Sequence, residues 1–280
     1  MARACRIAVV IPARTCPCRQ VVSVLTQLSP KDRLVVVLNG LADADRCKRR
    51  TTRHPLVTWI DAGALVGAGR ARNLGVRALG GVAKALLFCD ADDHIGATWV
   101  AKLAGPLLDA SADLVGGALR VPRRSGAPTV VSPTIDYWHS QAVFGANMGI
   151  TYEAWCRLGG FDESLASCED TDLAWRAGNL GLKIQVVPDA IVDYSLRSPI
   201  QELRQRFRWG RSSAQLLRKH AVSLDHLPGL WTLFFDKRAT GFATSPLIAA
   251  LGQWAGQRVG AKRIENEEKP GKNEEPGMQE

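Results

Sequence analysis

The chain has 280 residues, 46% of them hydrophobic, which suits one large domain with a sizeable core plus an appendage. Its formal net charge of +9 points to an anionic partner: nucleotide phosphates, nucleic acid or an acidic membrane surface. The seven cysteines, at 5, 16, 18, 47, 89, 156 and 168, are odd in number and include no Cys-x-x-Cys pair. That speaks against a zinc site or a disulfide frame and for thiols in a reducing, cytoplasmic compartment. The apolar run 7–11 behind Arg3 and Arg6 is too short for a signal segment, and no uninterrupted run of about 18 apolar residues marks a transmembrane helix.

Residues 7–11 read as a short apolar strand closed by Pro12. Residues 19–28 carry Val21, Val22, Val24, Leu25 and Leu28 at helical spacing. A second buried strand, 34–38, ends at Asn39-Gly40; residues 42–50 are polar and read as a helix; 57–60 is a third strand. Gly67-Ala68-Gly69 leads into a helix over 70–79 that carries Arg70, Arg72, Asn73 and Arg77. Glycines ahead of a basic helix suit a nearby phosphate, although a solvated basic face would look the same. A dinucleotide fingerprint is not met, because Arg72 stands where the third glycine belongs and the motif follows the third strand. Residues 85–89 form the fourth strand, buried on both faces through Leu86, Leu87 and Phe88. Strands alternating with helices at this spacing imply βαβ units and a mainly parallel, Rossmann-like sheet.

The fourth strand ends abruptly in Asp90-Ala91-Asp92-Asp93. In open α/β sheets, ligands bind just past the C-terminal ends of the strands. Asp90 and Asp92 can both reach one cation, and their hard oxygen ligands suit Mg²⁺ or Mn²⁺, particularly beside phosphates. An acidic turn after a strand is the plain alternative.

Residues 98–108 read as a helix whose end Pro106 disturbs, and 113–121 as a strand. Residues 123–133 are basic and rich in Pro, Ser and Gly, a surface loop. The small residues of Phe144-Gly145-Ala146-Asn147-Met148-Gly149 suggest backbone close to a ligand, or tight packing. Ser167 and Asp170 fit a capping box with a helix starting near Cys168, yet Glu169, Asp170 and Asp172 exceed what a cap requires. Residues 183–187 and 190–194 read as two short strands around Pro188-Asp189. The best helix is 199–219, with Ile200, Leu203, Phe207, Ala214 and Leu217 on one face and Arg204, Arg208 and Arg211 on another. Residues 227–259 are apolar and Trp-rich but broken at Asp236-Lys237-Arg238, and a charged, disordered tail is expected after Gly260.

The ordered set Ala71-Arg72-Asn73, Asp90-Ala91-Asp92, Gly159-Gly160-Phe161-Asp162-Glu163, Glu169-Asp170 and Gln205-x-x-Arg208-Trp209 resembles the family 2 glycosyltransferases of the GT-A fold over roughly residues 5–215. The resemblance implies a GT-A catalytic domain over 1–220, an apolar helical extension over 221–260 and a tail over 261–280. It further implies an inverting transferase that moves a sugar from a nucleotide-diphosphate sugar to an acceptor hydroxyl. Asp90 and Asp92 would then hold a divalent cation on the diphosphate, and Asp170, beside Glu169, would be the general base. Gln205, Arg208 and Trp209 would lie near diphosphate and acceptor, as in membrane-associated members that act on lipid-linked acceptors. Pro12, Asn39, Arg70, Arg72, Asn73, Ala91 and Asn147 complete the expected nucleotide-sugar site. Two departures stand out: Asn39-Gly40 replaces the acidic residues that touch base or ribose in the family, and Asp193 or Tyr194 stands near the place of a metal-ligating His.

The chemistry is coherent without the family. One carboxylate must take the acceptor proton, while a cation and arginines must stabilise charge on the leaving diphosphate. A sugar nucleotidyltransferase would want a Gly-rich basic loop after the first strand, where Pro12-Ala13-Arg14-Thr15-Cys16-Pro17-Cys18 has no glycine. A degenerate, non-catalytic binding module would not need Asp90, Asp92 and Asp170. A nucleic-acid partner is not expected, because the basic charge is spread out and no binding motif accompanies it. Trp residues beside Lys and Arg in 227–259 are the composition of an interfacial helix, which would place the protein peripherally at the inner face of the cell membrane; packing on the domain is the alternative.

Overall fold

The computed structural model describes residues 5–40, 54–81, 83–122, 127–133, 142–195, 198–227 and 246–268. The expected helix over 42–50 and the apolar stretch before residue 246 lie outside these residues. In the N-terminal half, β1 (Cys5–Ala13), α1 (Cys18–Leu25), β2 (Arg33–Leu38), β3 (Val57–Asp61), α2 (Ala68–Arg77) and β4 (Ala83–Cys89) alternate. All of these strands pair in parallel, with Val10 of β1 opposite Val35 of β2 and Phe88 of β4. Period-2 alternation on strands covered on both sides divides their side chains into two apolar layers. Val9, Ile11, Leu34, Val36 and Leu87 pack with Trp99 and Leu103 on one face. Val10, Val35, Leu86 and Phe88 pack with Trp155 and Phe161 on the other.

Beyond β4 the sheet becomes mixed. After β5 (His94–Ile95) and α3 (Trp99–Leu108) come β6 (Leu114–Val121), β7 (Thr129–Val131), β8 (Asn147–Thr151), α4 (Tyr152–Leu158), α5 (Glu169–Asn179) and β9 (Ile184–Asp193). Strand order is β3-β2-β1-β4-β8-β6-β9-β5, with β7 attached to β6. Strand β8 runs antiparallel between β4 and β6, and β9 returns parallel to β6. The segment expected as a loop thus contributes β7. The two expected short strands are one strand, β9, whose register against β6 jumps from Val187 to Ile191. Pro188, which has no N–H to donate, falls inside that irregularity.

Helix α6 (Pro199–Lys219) begins with Pro at its first position and a capping box of Ser198 and Gln201. Of the apolar face expected on it, Ala214 and Leu217 are buried, whereas Ile200 and Leu203 are exposed. Helix α7 (Pro246–Glu268) lies against it and continues through the start of the expected disordered tail. Gly252, Gly256 and Gly260 recur every four residues and let the two backbones touch. A Cβ on Gly256 would fall 2.0 Å from the Phe207 carbonyl oxygen, and one on Gly210 2.0 Å from that of Gln253. The part of the apolar extension that is described therefore packs on α6. Among the described residues, no helix is long and apolar enough to cross a membrane.

Candidate active site

The C-terminal ends of β1, β2 and β4 open into a cleft of about 1850 Å³, closed on the far side by α6 and α7. Pro12, Asn39, Arg72, Asp90, Ala91 and Asp92 line its strand side, and Glu169, Asp170, Gln205, Arg208 and Trp209 its helix side. Four residues expected at the site stand elsewhere. Arg70 is solvent-facing and ion-paired with Glu163 at 3.6 Å. Asn73 is buried, donating to the Phe161 carbonyl and accepting from the Phe161 N–H. This clasp needs the turn at Gly159 and Gly160, both at positive φ; a Cβ on Gly160 would meet Asn73 Oδ1 at 2.8 Å. Asn147 is fully buried, accepting from Trp99 Nε1 at 2.7 Å and donating to the carbonyls of Ala118 and Ala190. It ties α3, β6 and β9 together. Asp193 is half-exposed and paired with Arg120 at 3.1 Å.

The third carboxylate of the acidic group is Asp93. Asp90, Asp92 and Asp93 each offer an oxygen within 4.8 Å of the others. Ser195, which no sequence pattern marked, anchors this turn by donating its N–H to Asp93 and its hydroxyl to the Asp92 carbonyl. Three hard oxygen donors this close could hold a metal ion.

Arg72 is the link between the two sides of the cleft. Its guanidinium, 3% exposed, donates to Asp90 Oδ1 at 2.9 Å and to Glu169 Oε1 at 2.7 Å. Burial opposes the Arg72 charge, but Asp90, Glu169 and Asp170 outweigh it and hold the pKa above the ordinary value. Burial, and then the Asp170 carboxylate, push Glu169 up to about 7 against the pull of Arg72. Room for the guanidinium comes from Gly145, where a Cβ would lie 3.0 Å from both terminal nitrogens. The small residues from 144 to 149 thus divide: Gly145 abuts the cleft, while Asn147 and Gly149 serve packing.

Helix α5 begins without the expected capping box. Cys168 is its N-cap in the left-handed region (φ 64°) and makes no side-chain cap hydrogen bond. A non-glycine residue there costs about 1–3 kcal/mol and belongs to the backbone that sets up the site. Asp170 instead turns one oxygen to the Gly145 N–H at 2.8 Å and the other to the Thr171 N–H at 2.8 Å. Ser167 Oγ donates to the Arg208 carbonyl at 3.3 Å, tying the start of α5 to α6. Asn39 uses both ends of its amide on the backbone of Val66, so its side chain braces the loop before α2. Farther back, fully buried Asp172 receives Arg176 Nε at 2.8 Å, Lys219 Nζ at 2.6 Å and His220 Nε2 at 2.9 Å. It locks α5 to the C-terminal end of α6.

A family model described as "Glycosyl transferase family group 2" matches residues 86–255, from the strand that delivers the acidic group to the helix that closes the cleft. The chain belongs to this family. The pre-mycofactocin glycosyltransferase of Mycobacterium tuberculosis (strain H37Rv) is 26% identical over 175 residues, covering 55% of this chain and 36% of that protein. The succinoglycan biosynthesis protein ExoA of Rhizobium meliloti (strain 1021) is 26% identical over 217 residues, covering 71% of this chain and 63% of that protein. The chain thus spans between a third and two thirds of these relatives' lengths. In fold, S. aureus TarS 1–349 superposes with a TM-score of 0.55 at 14% identity, covering 94% of this chain and 92% of that one. GalNAc-T7 with UDP, GalNAc and Mn²⁺ superposes with a TM-score of 0.58 at 13% identity, covering 94% of this chain and 57% of that one. The architecture is the GT-A fold of this family.

Proposed function

We propose that this family member is an inverting glycosyltransferase that moves a sugar from a nucleotide-diphosphate sugar to an acceptor hydroxyl. The observation that carries the reading is the cleft itself: Asp90 and Asp92 on one wall and Asp170 on the other, joined through Arg72 and Glu169. The TarS structures with UDP and with UDP-GlcNAc, and the UDP of GalNAc-T7, support UDP as the nucleotide.

Asp90 and Asp92, with Asp93 beside them, would hold Mg²⁺ or Mn²⁺, which when bound supplies positive charge against the diphosphate. Asp170 accepts the acceptor hydroxyl proton as that oxygen attacks the anomeric carbon from the face opposite the diphosphate. Its two N–H partners fix the carboxylate in place. Arg204 and Arg208, one helical turn apart on exposed positions lining the cleft, stabilise negative charge developing on the leaving diphosphate. Gln205 and Trp209 shape the acceptor side. Exposed Ile200 and Leu203 lie beside these arginines, which supports a lipid-linked acceptor presented at a membrane surface.

The deciding experiment is calorimetric titration of UDP-, GDP- and dTDP-sugars with and without Mn²⁺. The expected result is binding of UDP-sugars that requires Mn²⁺ and is lost in Asp92→Asn. Binding of none of them, or undiminished binding in excess EDTA, refutes the reading.

A further inference from the structure

We propose that Cys16 and Cys18 form a reversible disulfide on the rim of the cleft that controls the donor-binding loop between β1 and α1. This rests on the donor-site reading above. The two sulfurs lie 2.6 Å apart, about 0.6 Å beyond a covalent S–S bond. Cys16 is exposed and Cys18 half-buried, so a small reagent can reach the pair.

The two thiols have different surroundings. Cys18 is the first residue of α1, whose first turn carries no acidic residue, and Arg19 follows it. The N-terminal end of α1 lies at Cys18, the attacking group of the exchange, with Cys16 as its partner. The interior thiols are the contrast: burial pushes Cys89 up to about 12 and Cys168 upward as well.

The oxidant is a low-molecular-weight disulfide, RS–SR. The Cys18 thiolate attacks one of its sulfurs, forming a mixed disulfide and releasing one RS⁻. The Cys16 thiolate then attacks the Cys18 sulfur, forming the Cys16–Cys18 bond and releasing the second RS⁻. The two cysteine protons end on the two RSH molecules, so two thiols are oxidised as one disulfide is reduced.

Closure has a route to the cleft. Arg14 and Thr15 directly precede the pair in the same loop. Both residues line the cleft with Pro12. Oxidation therefore reshapes the wall beside the donor, and we expect weaker donor binding.

The test equilibrates the full chain with excess glutathione disulfide, then alkylates and digests with trypsin. Cleavage after Arg14 and Arg19 releases residues 15–19, which carry both thiols and no other cysteine. The expected peptide resists alkylation and is lighter than the reduced form by two hydrogens. Affinity of the oxidised protein for UDP falls by about fivefold or more and recovers with dithiothreitol. The Cys16→Ser/Cys18→Ser variant keeps the reduced affinity under both conditions. Recovery of an alkylated or glutathionylated peptide, or closure with unchanged UDP affinity, overturns the proposal. If reduced protein binds no UDP, the donor-site reading fails instead; the mass of the 15–19 peptide is independent of it.

Discussion

Replacing Arg72 by alanine removes the only cation shown to touch both Asp90 and Glu169 among the described residues. Breaking a buried ion pair by deleting one partner costs about 3–5 kcal/mol, because the partner's charge is left buried. The two pairs do not share this equally. The Glu169 side chain is 10% exposed and the Asp90 side chain 29%, so water compensates Asp90 and most of the loss falls on Glu169. Glu169 also sets how the loss depends on pH. Its folded-state value is raised from 4.5 to about 7, so the native state binds more protons than the unfolded chain in that window. Stability therefore falls as pH rises through it. Without Arg72 the value rises further and the fall extends to higher pH. The expected loss for Arg72→Ala is about 3–5 kcal/mol at pH 8, roughly 10 °C in Tm, and less at pH 6, where Glu169 can take up a proton. Urea unfolding at both pH values measures this. A loss under about 1 kcal/mol at pH 8, or the same loss at both, would refute the assignment of Arg72 as the buried link.

Four further outcomes follow from the geometry. Asp170→Asn keeps donor affinity but lowers the transfer rate by about 10²-fold or more, measured by single-turnover kinetics; a normal rate per folded molecule would make Asp170 only a hydrogen-bond anchor for Gly145. Arg208→Ala lowers the rate by about tenfold or more with little change in Tm, and a wild-type rate would assign that face of α6 to solvent. Asp172→Asn, which leaves Arg176, Lys219 and His220 around a neutral amide, destabilises by about 3 kcal/mol in denaturant titration; an effect below about 1 kcal/mol would show that α5 and α6 are held together by their apolar contacts alone. Gly256→Leu forces α7 off α6 and exposes 246–268 to limited proteolysis, whereas an unchanged cleavage pattern would mean the two backbones do not touch as described.

Much of the architecture is legible along the chain because it depends on local pattern. Apolar runs at 7–11, 34–38 and 85–89 can be buried only as central strands, and the helical segments between them force the parallel order. Ser198 and Pro199 mark the start of α6, while Ile200 and Leu203 of the expected apolar face stay exposed. Asp90-Ala91-Asp92 is readable as a candidate site because carboxylates just past the end of a buried strand sit where open α/β sheets bind ligands. What the sequence could not decide is where polar residues spend their hydrogen bonds. Asn147 and Asp170 look alike as candidates, yet one closes a knot among α3, β6 and β9 while the other faces the cleft. Asp193 and Asp93 differ for a similar reason: Arg120 pairs with the first, and the turn held by Ser195 brings the second beside Asp90 and Asp92. Arg72 reads as a phosphate ligand on a basic helix, and only the approach of α5 to β4 makes it an internal link. Each of these outcomes depends on partners dozens of residues away, and hydrogen bonds and ion pairs carry no periodicity that would announce the partner. Burial patterns are written locally and repeat, so the sequence by itself determined the layers; the partner of each polar group exists only once those layers meet, and that the tertiary structure decided.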